Sequence, residues 1–127
     1  MEKLNTIQRR GKLNEVYRTG EIGPGIAYHD YMIEQKLPVD FPGLNGAGYY
    51  THVHFQEGPR NVVESKHGIL DTDLLEIVRD RLTCFQNGDF ACRENEMALR
   101  HVEEALLWLN KRVEDRAQRG VLGTEEK

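Results

Sequence analysis

The sequence predicts an α+β protein, in which a small antiparallel β-sheet in the N-terminal half is followed by a C-terminal antiparallel helical hairpin. All four Pro residues and most of the Gly residues fall before residue 60, a density that helices of ordinary length do not tolerate. Beyond residue 70, apolar residues instead recur every three to four positions. The 127 residues are predicted to form one domain, with a β-rich part over about 1–68 and a helical hairpin over about 71–120.

Short strands are predicted in the N-terminal half. Residues 26–33 are rich in aromatic and branched side chains, and residues 49–56 alternate with period 2, which is typical of a half-buried strand. A turn at Glu57-Gly58-Pro59 leads into Asn61-Val62-Val63, and this pattern predicts a hairpin between the flanking runs. The first twenty residues fit a short strand or a short helix equally well.

The stretch 34–48 carries two Pro and three Gly residues, which predicts a loop. In the C-terminal half, Asp73 with Glu76 three residues later has the pattern of a capping box at the start of the first helix. Asn87-Gly88 is predicted to end this helix, since glycine is common just past a helix C-terminus.

Asp89 is the predicted N-cap of a second, longer helix that ends near Gly120. Two helices joined by about two residues must run antiparallel, which predicts the helical hairpin.

Composition excludes several classes of protein. Seventeen Lys and Arg against 21 Asp and Glu leave a net charge of −4, which argues against a protein that coats duplex nucleic acid and against a polybasic membrane anchor. No apolar run reaches the roughly 20 residues of a membrane span, and Met1 to Asn5 resemble no signal peptide. Cys84 and Cys92 lack CxxC spacing, so free thiols in a reducing cytosol are expected. The small core also makes oligomerisation plausible.

The charge is unevenly distributed along the chain. Residues 1–20 carry a net +3, residues 21–107 a net −8 and residues 108–120 a net +2. In the last of these segments Arg112, Arg116 and Arg119 share one helix face. They fit either a solvated basic stripe favoured by the helix macrodipole or an anion site, since two guanidinium groups one turn apart suit a diphosphate.

Phe85 and Asn95 flank the predicted helix–helix turn. An aromatic face and an amide together suit a nucleobase, through stacking and edge hydrogen bonds. From the residues alone, however, the simpler interpretation makes Phe85 and Phe90 core anchors of the hairpin and Asn95 a surface residue. Arg93 lies near a helix N-terminus, where the macrodipole disfavours a cation, and this hints at another partner.

His52-x-His54 places two imidazoles on one strand face, a spacing that can ligate a metal, but no third ligand is evident nearby. No metal site and no cofactor are therefore expected, and the two histidines are assigned to a surface or interface. Trp108, beside the apolar stripe of the second helix, is interpreted as a core or subunit contact.

Six runs between residues 54 and 124 carry a family resemblance: HFQEGPR at 54–60, LLEIVRDRL at 74–82, FQ at 85–86, FACREN at 90–95, ALLWL at 105–109 and RGVLGT at 119–124. They resemble the anti-Thoeris sponges, small phage proteins that defeat the bacterial Thoeris defence by sequestering its signal. The family shares a helical-hairpin domain with an anti-CBASS sponge family. The resemblance covers about residues 54–124, and its most specific part is the FACREN block.

The resemblance implies a binder of cyclic ADP-ribose isomers, including the glycocyclic form, that does not cleave its ligand. Phe85 would stack on adenine and Asn95 would contact the nucleotide. Arg112 and Arg116 would hold the diphosphate, and Arg60 would close the site from the sheet side. The NAD-depleting effector of the defence would then receive no signal.

The family resemblance further implies a homo-oligomer, as a dimer and a hexamer, with pockets between subunits, acting in the cytoplasm of the infected bacterial host. Cyclic trinucleotides of CBASS systems would bind at a separate site to which Arg93 contributes. Two other hypotheses remain open from the residues: a small metal-dependent hydrolase of signalling nucleotides that uses His52 and His54, and a purely structural oligomeric phage protein.

Overall fold

A computed structural model describes residues 1–36 and 48–127. The chain divides into two compact units. The sheet unit comprises Met1–Gly58 with Ser65–Ile69, and the hairpin unit comprises Pro59–Glu64 with Leu70–Lys127. Strands occupy the first unit and two helices the second, which confirms the α+β class.

The strands of the sheet unit are β1 (Glu2–Lys3), β2 (Asn14–Arg18), β3 (Ile22–Gly23), β4 (Ala27–Tyr28), β5 (Asp30–Gln35) and β6 (Tyr49–His54). They form a four-stranded antiparallel sheet in the order β1-β2-β5-β6, together with a two-stranded ribbon of β3 and β4. The first twenty residues, which the sequence left undecided, supply β1 and β2. The predicted strand runs are confirmed with shifted ends.

The predicted loop over residues 34–48 falls mostly on residues 37–47, which lie outside the described residues. At its start the prediction was wrong, because Glu34 and Gln35 belong to β5 and pair with β6. The sheet therefore extends further along the chain than the Pro and Gly content indicated.

The predicted hairpin between residues 49–56 and 61–63 does not form. The antiparallel partner of β6 is β5, an earlier strand, and residues 61–63 lie in a turn of the hairpin unit. After β6, only single bridges continue the pairing, from Phe55 to Ile69 and from Glu57 to Lys66. Local turn signals favoured the nearest run, whereas the longer β5 offered six register pairs.

A row of polar side chains crosses one face of the sheet. Glu15, Glu34 and Tyr50 are register partners on three adjacent strands. The hydroxyls of Tyr17 and Tyr50 donate to the two oxygens of Glu34, at 3.3 and 3.1 Å. The pKa of Tyr17 is raised, first by burial, and the pKa of Tyr50 is raised, first by its hydrogen bond to that carboxylate. Both phenols therefore stay protonated and keep donating at neutral pH.

Apolar burial within the described ranges is sparse. Met32 is the one apolar side chain there that is classed as buried, at 7% exposure. Burial along β6 does not follow the predicted alternation, since Tyr49 to His52 are all exposed and Val53 and His54 are both half-buried. A chain with so small a buried core has apolar surface left for contacts with other molecules.

The first helix, α1 (Asp71–Gln86), begins three residues earlier than the capping-box pattern placed it. Leu70 is the N-cap, and the Asp73 carboxylate accepts a hydrogen bond from its backbone N–H at 2.8 Å. The acidic side chain therefore acts from inside the first turn rather than as the cap. Asp71 and Asp73 also place negative charge at the positive end of the helix dipole.

The second helix, α2 (Arg93–Gln118), begins after Cys92, so the prediction of Asp89 as N-cap was wrong. The Cys92 thiol accepts from the backbone N–H of Asn95 at 3.4 Å. The Gln86 side-chain amide donates to the carbonyl of Cys92 and accepts from its backbone N–H, at 3.1 Å each. The connection between the helices comprises residues 87–92 and is longer than the predicted two residues. The Gln86 side chain at the end of α1 bridges it by bonding the residue that precedes α2.

The two helices pack against each other in antiparallel directions, which confirms the predicted hairpin. Arg79 in the first half of α1 reaches Glu103 in α2 with a 2.9 Å bond, and Gln86 at the end of α1 meets Cys92 at the start of α2. Across the described part of the chain, no helix is long and apolar enough to cross a membrane.

Candidate functional site

The turn end of the hairpin, defined by Phe85, Phe90, Arg93 and Asn95, presents an aromatic ring and an amide. Phe85 lies one position before the end of α1 and is 37% exposed. The guanidinium of Arg81 lies 5.3 Å from the centre of its ring. Asn95 lies in the first turn of α2 and is half-buried. The ring and the carboxamide thus lie at the same end of the hairpin, where a ring can stack on a base and an amide can bond its edge.

The interpretation of Phe85 and Phe90 as core anchors is wrong for the single chain. Phe90 is 77% exposed, more than twice as exposed as Phe85. Arg93, the first residue of α2, is also exposed, and it forms no ion pair with any described residue. The turn end therefore carries two rings and one cation that the chain itself does not bury.

The opposite end of the hairpin, where α2 finishes, carries the arginines. Arg116 is 8% exposed. Its guanidinium donates to the backbone carbonyls of Glu126, Val121 and Thr124, at 2.5, 3.0 and 3.1 Å. A solvated basic stripe therefore does not describe Arg116, because its side chain holds the segment that follows the helix.

The end of α2 itself confirms the predicted stop near Gly120. Gly120 has a φ of +73°, the left-handed conformation that glycine adopts without strain. The N–H of Val121 bonds the carbonyl of Arg116 at 2.9 Å, and the N–H of Gly120 bonds that of Ala117 at 3.1 Å, which together form a Schellman motif. The chain therefore reverses here and brings its last residues back to Arg116.

The neighbour of Arg60, Asn61, bonds the residues that follow α2. The backbone N–H of Asn61 donates to Gly123 at 3.2 Å, and the Asn61 side chain donates to Leu122 at 3.4 Å. Arg60 thus lies in a segment of the hairpin unit, Pro59–Glu64, that is bonded to the same terminal residues that Arg116 holds.

Arg112 and Arg119 differ from Arg116 in their surroundings. Arg119 pairs with Asp115 at 3.2 Å, so a carboxylate already neutralises it. Arg112 is exposed, and within the part of the chain that the structure describes it makes no hydrogen bond or ion pair. Of the three arginines on this helix face, Arg112 is therefore the one whose side chain has no partner among the described residues.

The two groups of predicted site residues lie far apart in one chain. Helix α2 is continuous from Arg93 to Gln118. The seventeen steps from Asn95 to Arg112 correspond to about 26 Å along its axis, at about 1.5 Å per residue. One chain therefore brings Phe85 together with Asn95, and Arg112 together with Arg116 and the Arg60 segment, but it does not unite the two groups.

A groove of about 600 Å³ lies between α1 and α2, and sequence analysis did not predict it. Across it Arg79 of α1 bonds Glu103 of α2 at 2.9 Å, and Arg79 also pairs with Glu76 of its own helix at 3.5 Å. Both carboxylates, the Glu103 bond first, raise the pKa of Arg79. The available signal was Asn110, a polar residue one helical turn from the apolar stripe position Leu106.

His52 and His54 do not form the start of a metal site in the described ranges, where no three His, Cys, Asp or Glu side chains cluster. Asp30, the register partner of His54, instead places its carboxylate 2.6 Å from the Nδ1 atom of that imidazole. His52 remains exposed.

Comparison with known proteins assigns the chain to a family. Residues 51–114 match the family described as Acb2/Tad1, hairpin domain, and the chain belongs to that family. Among individual relatives, it is 52% identical over 82 residues to Thoeris anti-defense 1 of Bacillus phage SBSphiJ7. The match covers 64% of this chain and 56% of the relative, so the chain spans little more than half the length of that protein.

Proposed function

We propose that the chain is a phage anti-defence protein that binds and sequesters cyclic ADP-ribose isomers made by bacterial TIR-domain Thoeris enzymes. Sequestration keeps the signal from the NAD-depleting effector in the cytoplasm of the infected host. Family membership and the name of the relative support the anti-defence role. The chemistry of the two hairpin ends supports the ligand, since one end suits an adenine and the other suits a diphosphate.

The distance between the two ends of the hairpin is the observation that supports the proposal most strongly. Adenine and diphosphate belong to one compact cyclic ligand, yet Asn95 and Arg112 are about 26 Å apart along α2. A pocket that uses both must take Phe85 and Asn95 from one chain and Arg112 and Arg116 from another. The proposed site is therefore shared between subunits of a homo-oligomer.

Exposed apolar side chains on α2 support the oligomer. Leu107 is 71% exposed and Trp108 is 63% exposed, with the ammonium of Lys111 5.4 Å from the Trp108 ring. A tryptophan left uncovered by its own chain is typical of a subunit contact. Because the Trp108 side chain is exposed, it is not a core residue of the single chain. We therefore interpret it as a contact between subunits of the dimer and hexamer that the family resemblance implies.

Arg116 and Arg60 have separate roles in the proposed pocket. Arg116 is fixed by three carbonyls, so it presents its remaining N–H groups without further loss of side-chain entropy. Arg60 lies in the segment that Asn61 ties to Gly123, and it would close over the phosphates after the ligand enters. Arg112 supplies a charge that no described residue offsets.

A second ligand class, the cyclic trinucleotides of CBASS systems, is proposed to bind separately at Arg93. This guanidinium lies at the start of α2, where the helix dipole disfavours a cation unless an anion accompanies it. Its distance from Arg112 makes the two anion sites independent.

Binding without turnover is the central test. Protein is incubated with glycocyclic ADP-ribose, heat-denatured, and the supernatant is analysed by mass spectrometry. We expect intact ligand in stoichiometric amount, and degraded ligand would instead support the hydrolase hypothesis. A purely structural oligomer would give no ligand-induced rise in melting temperature, whereas a tight binder gains about 2.7 kcal/mol at ligand one hundredfold above Kd.

The shared pocket has its own test, in which two inactive variants are mixed. Phe85→Ala removes one half of each pocket and Arg112→Ala removes the other. After the two variants are unfolded and refolded together, random dimers are expected to regain about a quarter of the intact pockets, because one pocket of each mixed dimer holds both native side chains. Refolding each variant alone is the control. Absence of recovery in the mixture would show that one chain supplies both groups.

A further inference from the structure

The basic N-terminal segment, with its net charge of +3 over residues 1–20, lies outside the region matched to the hairpin family. It belongs to the sheet unit, where β1 and the segment leading to β2 lie at one edge of the sheet. None of the residues proposed to bind cyclic ADP-ribose comes from this segment, so its charge has no explanation in that function.

Much of the positive charge in this unit gathers around one carboxylate. Glu15 on β2 is 7% exposed. Lys12 donates to one of its oxygens at 2.8 Å, and Lys36 donates to the other at 3.1 Å. These two hydrogen bonds, that of Lys12 first, lower the pKa of Glu15 to about 2, and the charge of Lys3 contributes to the same shift. The carboxylate is therefore charged at every physiological pH and serves as a fixed counter-ion.

A cleft of about 250 Å³ opens beside this cluster. Its charged lining consists of Lys3, Arg9 and Lys12 against the single carboxylate of Glu15, a surplus of two positive charges. Arg9 forms no ion pair with any residue in the described ranges, and Lys36 lies on the Glu15 carboxylate as a further cation. A surplus of this size within one small cleft is neutralised by one dianion.

The segment that forms the cleft is ordered by hydrogen bonds. The Thr6 hydroxyl donates to the carbonyl of Gln8 at 2.9 Å, and the Gln8 side chain donates to the carbonyl of Arg10 at 3.0 Å. The backbone N–H of Leu4 bonds Val16 on β2 at 2.8 Å. These bonds hold the backbone of the segment between β1 and β2 in place, and the bond to Glu15 fixes the Lys12 side chain.

We propose that this cleft binds the phosphate dianion of a small phosphorylated molecule, with Lys3, Arg9 and Lys12 as its charged donors. Ammonium and guanidinium groups form short, charge-assisted bonds to phosphate oxygens, and the Asn5 side chain in the lining adds an uncharged donor. The volume accommodates a phosphoryl group with a modest organic part. The site is independent of the hairpin and of the proposed cyclic ADP-ribose pocket.

The test is calorimetric titration of the full chain with inorganic phosphate and, separately, with adenosine 5′-monophosphate. Both titrations use the Phe85→Ala, Arg112→Gln background, which removes the proposed adenine-stacking ring and the exposed arginine of the hairpin site. Arg9→Gln and Lys3→Gln are the test variants, because both side chains are exposed and neither supports Glu15 by a hydrogen bond. Arg10→Gln is the matched control, since Arg10 neighbours Arg9, carries the same charge and does not line the cleft.

We expect each test variant to weaken phosphate binding about tenfold or more, and the control to change it less than twofold. Equal affinity for the two ligands would mean that the site takes a free phosphate, and tighter binding of the nucleotide would mean that the organic part contributes; both support the site. Equal weakening by Arg9→Gln and Arg10→Gln would indicate diffuse attraction and overturn the proposal. So would the absence of binding by either ligand at millimolar concentration.

Discussion

The two ends of the helical hairpin are built differently. At the turn end, Phe85 and Phe90 remain exposed and Arg93 has no charged partner among the described residues. At the far end, Arg116 is buried and bonded to three carbonyls, and a left-handed glycine folds the chain back over it. One end is thus an uncovered surface, and the other is a preorganised one.

Because of this difference, the free energy of binding has different sources at the two ends. An exposed ring gains stacking and burial only when another molecule covers it. A guanidinium already held by carbonyls has lost its side-chain entropy on folding, so an incoming phosphate meets a fixed group.

The largest effect is expected for Arg116→Ala, because this side chain serves both the fold and the proposed phosphate site. Three carbonyls lose a charged donor, which we expect to cost about 2–3 kcal/mol of unfolding free energy. Thermal denaturation followed by circular dichroism measures that loss, and calorimetry with glycocyclic ADP-ribose measures the expected loss of binding. Arg119→Ala is the control, since it breaks only an exposed pair with Asp115. Similar destabilisation by both would contradict the special position of Arg116.

Arg112→Gln is expected to separate binding from stability. The side chain is exposed and has no partner in the described part of the chain, so the melting temperature should stay within a degree or so of wild type. Loss of one charge-assisted bond to phosphate costs about 1.5–3 kcal/mol, which is a factor of about 10–150 in Kd. Calorimetry on Arg112→Gln and Arg119→Gln compares the two positions, and an unchanged Kd in the first would place the phosphate elsewhere.

At the turn end, Phe85→Ala is expected to weaken binding through lost stacking on adenine. Such stacking is worth about 1–3 kcal/mol per base. Phe90→Ala is the matched control, because Phe90 lies in the same turn and is more exposed. Ligand titration followed by fluorescence or calorimetry measures both variants. If Phe90→Ala weakened binding as much as Phe85→Ala, the loss would reflect general disturbance of the turn.

The smallest effect concerns the two glycines that close the helices. Gly120 has a φ of +73°, so Gly120→Ala should cost about 1–2 kcal/mol of unfolding free energy. Gly88 does not have a positive φ, and a β-carbon there would meet atoms no closer than 3.7 Å. Gly88→Ala should therefore change stability little, as chemical denaturation can show. A larger loss at Gly88 than at Gly120 would reverse the comparison.

The same two glycines show what sequence analysis could and could not predict. Both were predicted to end a helix, and both predictions are confirmed, since each glycine directly follows a C-cap residue, Asn87 or Arg119. At Gly120 the backbone has a positive φ and forms a Schellman motif. Gly88 does not have a positive φ, and the Gln86 side chain makes the connection to Cys92. A glycine permits a left-handed turn, but only the following chain decides whether it is used.

The site residues show a similar division. Spacing along α2 identified Arg112, Arg116 and Arg119 as one face, because helical periodicity is a local property. The pair of Arg119 with Asp115 is an i, i+4 relation of the same local kind. Periodicity could not show that Arg116 is buried, since the carbonyls that it bonds belong to the terminal segment and reach it only after folding. The exposure of Phe85 and Phe90 was likewise missed, because apolar type alone does not tell what covers a ring.

By itself, the sequence determined the α+β class, the two amphipathic helices and the uneven distribution of charge. These depend on the order of residue types and on the fixed periods of strand and helix. Only the tertiary structure decided that β6 pairs with β5, that Arg116 is buried while Arg112 is free of described partners, and that the aromatic and arginine groups lie at opposite ends of one helix. Such facts depend on contacts between distant segments, and the free energy of those contacts is set by the whole arrangement rather than by any local run.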